Sequence, residues 1–172
     1  MRIGLVSDTH GLLRPEALVF LVGSDAIVHA GDIGDDPALL DSLRRIAPLT
    51  VVVRGNNDVA PWARDLPETA LLPVGEARLM VVHDLQTLDL RRLPRGVRAV
   101  VCGHSHRPRV EERDGVLIVN PGSAGPRRFG LPIGVGEMVV EGDAWRARTV
   151  VIEVSPLLRP AASRASKTAD SR

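Results

Sequence analysis

The sequence predicts a single α/β domain, and three observations carry that expectation. Short apolar, β-branched runs alternate with segments of helical spacing through the first half of the chain. After Arg107 the pattern changes to paired strand-like runs joined by Asp-Gly and Gly-Asp turns. With 172 residues, 44% of them hydrophobic and 25% charged, the chain suits one core of ordinary size.

The runs Ile3 to Val6, Ala26 to His29, Thr50 to Val53, Leu79 to Val82 and Ala99 to Cys102 are too short and too apolar for surface helices, and read as buried strands. Between them, Pro15 to Val22 and Pro37 to Ile46 have helical spacing, each opened by a proline suited to a first turn. In the second half, Asp114-Gly115 divides VEERDGVLIV, and Gly142-Asp143 divides GEMVVEGDAWRARTVVIEV, so both segments read as antiparallel hairpins. From Ser155 the chain is rich in Pro, Ala, Ser and charge. The expected organisation is one domain over residues 1–154 and a disordered tail over 155–172.

Composition narrows the chemistry. The net charge of +1 gives no bulk attraction to nucleic acid or membrane. Cys102 is the only cysteine, so an intramolecular disulfide and a thiolate zinc cluster are both excluded. Neither a signal-peptide pattern nor an apolar run of membrane-spanning length occurs, so the cytoplasm is the expected location. Any metal must be held by histidine, carboxylate and amide groups.

Such groups gather at the strand ends. LVSDTH ends in Asp8 and His10, IVHAGD in Asp32, VVVRGNND in Asn56, Asn57 and Asp58, MVVHD in His83, and VVCGHSH in His104 and His106. Each fragment alone has an ordinary reading as turn chemistry, a helix cap or a polar strand end. His104 and His106, two apart in an extended segment, would share one face. Together the fragments point to a ligand-binding rim, because the carboxyl ends of strands in an α/β sheet lie on one edge. The chain has only five histidines, so chance is a poor account of four at strand ends. Gly31, Gly55 and Gly103 stand beside these residues, where the backbone must turn sharply or be approached closely.

In order along the chain, SDTHG (Ser7 to Gly11), HAGD (His29 to Asp32), RGNND (Arg54 to Asp58), VVHD (Val81 to Asp84), CGHSH (Cys102 to His106) and NPGS (Asn120 to Ser123) resemble the calcineurin-like metallophosphoesterase superfamily. The likeness is closest to its small single-domain bacterial and archaeal phosphodiesterases, which are similar in fold to a eukaryotic retromer subunit. The resemblance implies a two-sheet αββα sandwich with a dinuclear metal site. One ion would take Asp8, His10 and His106, the other Asn56, His83 and His104, and Asp32 would bridge the two. The catalytic set would be Asp32, Asn56, Asn57, Asp58 and His83. Nitrogen and oxygen donors of this kind suit Mn²⁺ first, with Fe, Co, Ni or Zn as alternatives, better than an all-oxygen Mg or Ca cage.

The implied reaction is phosphoester hydrolysis, most of all of phosphodiesters, by a hydroxide bridging two ions about 3.5–4 Å apart and attacking phosphorus in line. The implied partner is a small-molecule phosphoester, with nucleic acid entering only as a phosphodiester substrate, no membrane, and a homo-oligomer left open. Asn57 departs from the pattern. Larger members place there a histidine that protonates the leaving group, and small relatives often have cysteine. A neutral amide is a poor proton donor, so a general-acid contribution of roughly 10²–10⁴-fold would be missing and good leaving groups favoured. His29 matches no ligand position and suits packing or a hydrogen bond behind the ligands. Arg127 and Arg128 suit either substrate phosphate or solvent. The alternative function is an interaction module on the same scaffold, and retention of all seven ligand types argues for the enzyme.

Overall fold

The computed structural model describes residues 1–153; the predicted tail, 155–172, lies outside the described residues. Ten strands form two five-stranded mixed sheets. The first has the order β10-β9-β1-β2-β3, from β1 (Arg2–Val6), β2 (Ala26–His29), β3 (Thr50–Val52), β9 (Gly134–Glu141) and β10 (Ala144–Val151). The second has the order β4-β5-β6-β8-β7, from β4 (Thr69–Val74), β5 (Ala77–Val82), β6 (Val97–Val101), β7 (Arg109–Arg113) and β8 (Val116–Asn120). β1, β2 and β3 run parallel, as do β5, β6 and β8. The late hairpins do not form a layer of their own. β9–β10 extends the first sheet and β7–β8 the second.

The apolar runs are continuous because both faces of the central strands are covered. Ile3, Leu5, Val28, Leu79, Val81, Val101 and Val119 point between the sheets into one core. Their alternates in the first sheet, Val6 and Ile27, pack with Leu21 of α1 (Pro15–Leu21) and with Leu40 and Leu43 of α2 (Ala38–Ile46). α2 begins one residue later than predicted, with Pro37 as its capping residue, while Asp41 in its first turn and Arg44 and Arg45 in its last suit the helix dipole. On the second sheet, Met80, Val82, Val100, Cys102 and Ile118 are covered by Leu85, Leu88, Leu90 and Leu93. These leucines belong to single 3₁₀ turns, Leu85–Thr87 and Leu90–Arg92, and their flanks. The second outer layer of the expected sandwich is therefore built from short turns instead of α-helices. Among the described residues no helix is long and apolar enough to cross a membrane.

The Asp114-Gly115 turn has positive φ at both residues (51° and 75°), as a two-residue hairpin loop of the I′ type requires. β4 was not anticipated. It is an edge strand paired only with β5, so Pro73, which lacks an amide hydrogen, is tolerated there.

His29, at the end of β2, shows how the fold fixes the site. It is wholly buried, its Nδ1 accepts from the Gly31 amide (3.2 Å), and its Nε2 lies 2.9 Å from Thr9 Oγ1. Thr9 in turn donates to the Ile33 carbonyl (2.9 Å). Neutral His29 thus ties the loop after β1 to the loop after β2. Burial, against the pull of Asp8, pushes the imidazole down from its ordinary 6.5 to about 4. Between those values the unfolded chain binds the extra proton, so stability is fully present above pH 6.5 and falls as pH drops toward 4. The loss from this group is on the order of 3 kcal/mol. In denaturant titrations at several pH values, His29→Gln should flatten the stability profile across this window relative to wild type; parallel profiles would show that His29 does not govern it.

Candidate metal centre

Seven side chains from five strand ends meet where the carboxyl ends of the two sheets face each other. Asp8 and His10 follow β1, Asp32 follows β2, Asn56 follows β3, His83 follows β5, and His104 and His106 follow β6. The rim anticipated for one sheet is thus shared by two. His106 Nε2 lies 3.3 Å from Asp8 Oδ1 and 3.3 Å from His10 Nε2. Asn56 Oδ1 lies 3.0 Å from His83 Nε2 and 2.9 Å from His104 Nδ1. Asp32 Oδ2 stands between these groups, 3.5 Å from His83 Nε2 and 3.8 Å from His10 Nε2. Two acid-histidine clusters, Asp8–His10–His106 and Asp8–Asp32–His83, have ligand atoms within 4.8 Å of one another.

The backbone bends unusually to achieve this. Asp8, His10, Asp32, His104 and His106 all have φ between 45° and 65°, and they are five of the seven non-glycine residues with positive φ among the described residues. Each such residue costs about 1–3 kcal/mol. At His104 and His106 the left-handed turns abolish the extended geometry that would have put both rings on one face. The His104 ring lies instead 5.2 Å from that of His83, and the His106 ring 5.2 Å from that of His10. The adjoining glycines clear space for the ligands themselves. A Cβ on Gly103 would come within 1.9 Å of Ser7 Oγ and 2.8 Å of Asp8 Oδ2, one on Gly55 within 2.2 Å of Asp32 Oδ1, and one on Gly31 within 2.6 Å of His83 Nδ1.

The donor set fits divalent cations. His83 Nδ1 lies 2.7 Å from the Ala30 carbonyl, which can only accept, so Nδ1 carries a proton and Nε2 is the nitrogen turned toward Asp32 and Asn56, able to bind a cation once it gives up its own proton. Asp8 Oδ1 is buried with no hydrogen-bond partner, although Oδ2 is engaged by Ser7 Oγ and by the His104 amide (3.2 Å). Burial, with the charge of Arg128, lowers His10 from its ordinary value against the pull of Asp32, which favours the neutral imidazole that a ligand must be. Burial would raise Asp32, but hydrogen bonds from His83 and Asn57 outweigh it and hold the carboxyl well below the usual carboxylate range. Burial also opposes a proton on His83, and its bonds to Asp32 and the Ala30 carbonyl more than compensate. A cation would take the place of that proton.

Two residues of the predicted catalytic set are held in different ways. Asn57 donates from its backbone N to Asp32 Oδ1 (2.8 Å) and from Nδ2 to Asp32 Oδ2 (2.6 Å). Asp58 is buried, with Oδ1 accepting from the amides of Ile33 (2.7 Å) and Gly34 (3.1 Å) and Oδ2 from that of Gly55 (2.8 Å). It joins the loops after β2 and β3. Cys102 is buried as expected, and burial pushes its thiol up to about 12, which leaves it inert.

Sequence reasoning missed the supports. Asn120 Nδ2 donates to the Gly103 carbonyl (2.6 Å) and to Ser105 Oγ (3.1 Å), fixing the loop that carries both histidines. Ser123 Oγ donates to the Asp8 carbonyl (2.9 Å). The NPGS motif marked these positions without showing which loop they would reach.

Residues 1–143 match the model of the calcineurin-like phosphoesterase superfamily domain. A probable metallophosphoesterase of Methanocaldococcus jannaschii is 32% identical over 166 residues, spanning 89% of this chain and 82% of the relative. A phosphodiesterase of the same organism is 24% identical over 170 residues, covering 89% of this chain and all (100%) of that protein. In fold, the crystal structure of Vps29 from Chaetomium thermophilum superposes with a TM-score of 0.69 at 22% identity, over 88% of this chain and 97% of that one. With the order of its motifs, its two-sheet sandwich and the family match in agreement, the chain belongs to the calcineurin-like phosphoesterase superfamily.

Proposed function

We propose that this protein is a metal-dependent phosphodiesterase with two divalent ions in the centre described above, manganese being the first candidate. The observation that carries the reading is the convergence of carboxylate, amide and imidazole groups on one opening, with the buried Asp8 Oδ1 lacking any hydrogen-bond partner. Asp8, His10 and His106 would hold one ion, Asn56, His83 and His104 the other, and Asp32 both. Ions held by these residues would supply an activated water and neutralise the charge of a phosphoryl group.

The chain's own groups set the geometry. The Ala30 carbonyl orients His83, the Ser7 hydroxyl and the His104 amide orient Asp8, and Asn57 orients Asp32. Asp58 holds together the loops after β2 and β3. Asn57 has no acidic proton to give, so leaving-group departure depends on the leaving group's own stability.

Mass spectrometry of metal content should find about two ions per chain. Asp32→Asn should reduce occupancy of both sites and abolish hydrolysis, whereas His83→Ala should weaken chiefly one. Full activity in excess chelator would sink the reading.

With Mn²⁺ present, diesters of activated phenols should be cleaved much faster than alkyl monoesters. If metal is bound stoichiometrically and a broad phosphoester panel is left intact, the interaction-module reading replaces the enzyme. The fold shared with Vps29 keeps that second reading specific.

Asn57→His should add a proton donor with a pKa near neutrality. Rates should rise most for poor leaving groups and the gain should fade as pH increases through the imidazole pKa. The same change removes an amide bond to Asp32, so metal content must be measured alongside; an equal fall for every substrate with metal lost would confine Asn57 to holding Asp32.

A further inference from the structure

Aromatic residues are scarce here: two Phe, two Trp and no Tyr. Phe20 lies beneath the guanidinium of Arg2, and Trp62 and Trp145 pack against the cores. Phe129 alone among the described aromatics is left in the open, 81% exposed. It is also the one residue with positive φ (56°) that is neither a glycine, a proposed ligand nor part of a hairpin turn. Exposure of a single apolar side chain is ordinary. Its combination with a disfavoured backbone, in a chain whose other aromatics are half-buried, calls for a reason.

The loop beneath it is firmly placed. The Ala124 amide donates to the Ser7 carbonyl (3.0 Å), Ser123 Oγ to the Asp8 carbonyl (2.9 Å), and buried Arg14 Nε to the Gly125 carbonyl (3.1 Å). Gly125 lies so close to the Thr9 carbonyl that a Cβ would come within 2.2 Å of it. A turn from the Leu131 amide to the Arg128 carbonyl (3.0 Å) then carries Phe129 to the His106 side of the centre. Its ring is 5.5 Å from that of His106, inclined by 70°. Exposed Arg128 adds positive charge on the same side, where it acts on His10.

We propose that Phe129 is the aromatic wall of a subsite beside the metal centre, selecting phosphoesters whose organic group carries an aromatic ring, such as an aryl group or a nucleobase. The ring would stack on the open surface of Phe129 while the phosphoryl group occupies the centre one imidazole away. This inference rests on the phosphoester reading and names its substrate class.

The test is calorimetric titration of Mn²⁺-loaded protein with phenylphosphonate and methylphosphonate, which cannot be hydrolysed. Wild type should prefer the phenyl compound. Phe129→Ala should weaken phenylphosphonate about tenfold, the scale of a lost stacking contact, while methylphosphonate affinity and bound Mn²⁺ stay unchanged. Phe129→Leu, which keeps apolar cover over His106 without a π face, should lose the phenyl preference as well. Equal weakening of both compounds with reduced Mn²⁺ would show that Phe129 only shields His106 and would overturn the proposal. So would a phenyl preference that survives in either variant, or a wild type that binds both compounds equally. A wild type that holds Mn²⁺ yet binds neither phosphonate would overturn the phosphoester reading together with this one.

Discussion

The constraint on which the structure depends is the burial of carboxylate at the junction of two sheets. Asp8 is fully buried and Asp32 nearly so, and an unpaired buried anion costs several kcal/mol. Protein groups meet part of that cost. Ser7 and the His104 amide engage one oxygen of Asp8, and Asn57 engages both oxygens of Asp32. The remainder would fall to cations under the proposed reading, since histidine nitrogens face the other Asp8 oxygen and Asp32 Oδ2.

That arrangement explains the loops. Left-handed backbone at five ligand positions aims side chains inward from strands whose own alternation would send them elsewhere. Such strain persists only where surrounding structure over-determines it. Asp58 ties the loops after β2 and β3, His29 and Thr9 tie those after β1 and β2, and Asn120 ties the histidine loop to β8. Each tie is a buried side chain bonded to backbone, so the loops hold their positions through hydrogen bonds more than through apolar packing.

This division also decides what could be read from sequence. Strands covered on both faces leave continuous apolar runs, and ligands stand out because they terminate those runs. β4 escaped notice because an edge strand carrying Pro73 has no such run, and the outer layer of the second sheet because single 3₁₀ turns are too short for a periodic signal. The residues that gather at the candidate centre were legible by type. Spacing alone did not show the divergence of His104 and His106, which only the resemblance implied, since their left-handed geometry is imposed by contacts with distant loops. For Asp58, which the resemblance placed in the catalytic set, sequence did not show the three backbone amides it joins across two loops. Phe129 carried no sequence signal, because its meaning lies in its distance from His106.

The choice between enzyme and interaction module turns on the same strain. A surface that only docks a partner can be rigid, polar or apolar, but it gains nothing from turning buried carboxylates and several imidazoles toward one another in one opening. Relaxing His106 or Asp32 to ordinary backbone geometry would recover about 1–3 kcal/mol at each. A chain without need of cations could take that stability by single substitutions. This chain keeps five strained ligand positions, three glycines that give the ligands room and a set of buried ties. Cation binding accounts for all of these together. Metal-bound docking would account for them too, but it leaves the exposed ring of Phe129 beside His106, and the Arg128 charge felt at His10, unexplained. A small phosphoester with an aromatic group accounts for both.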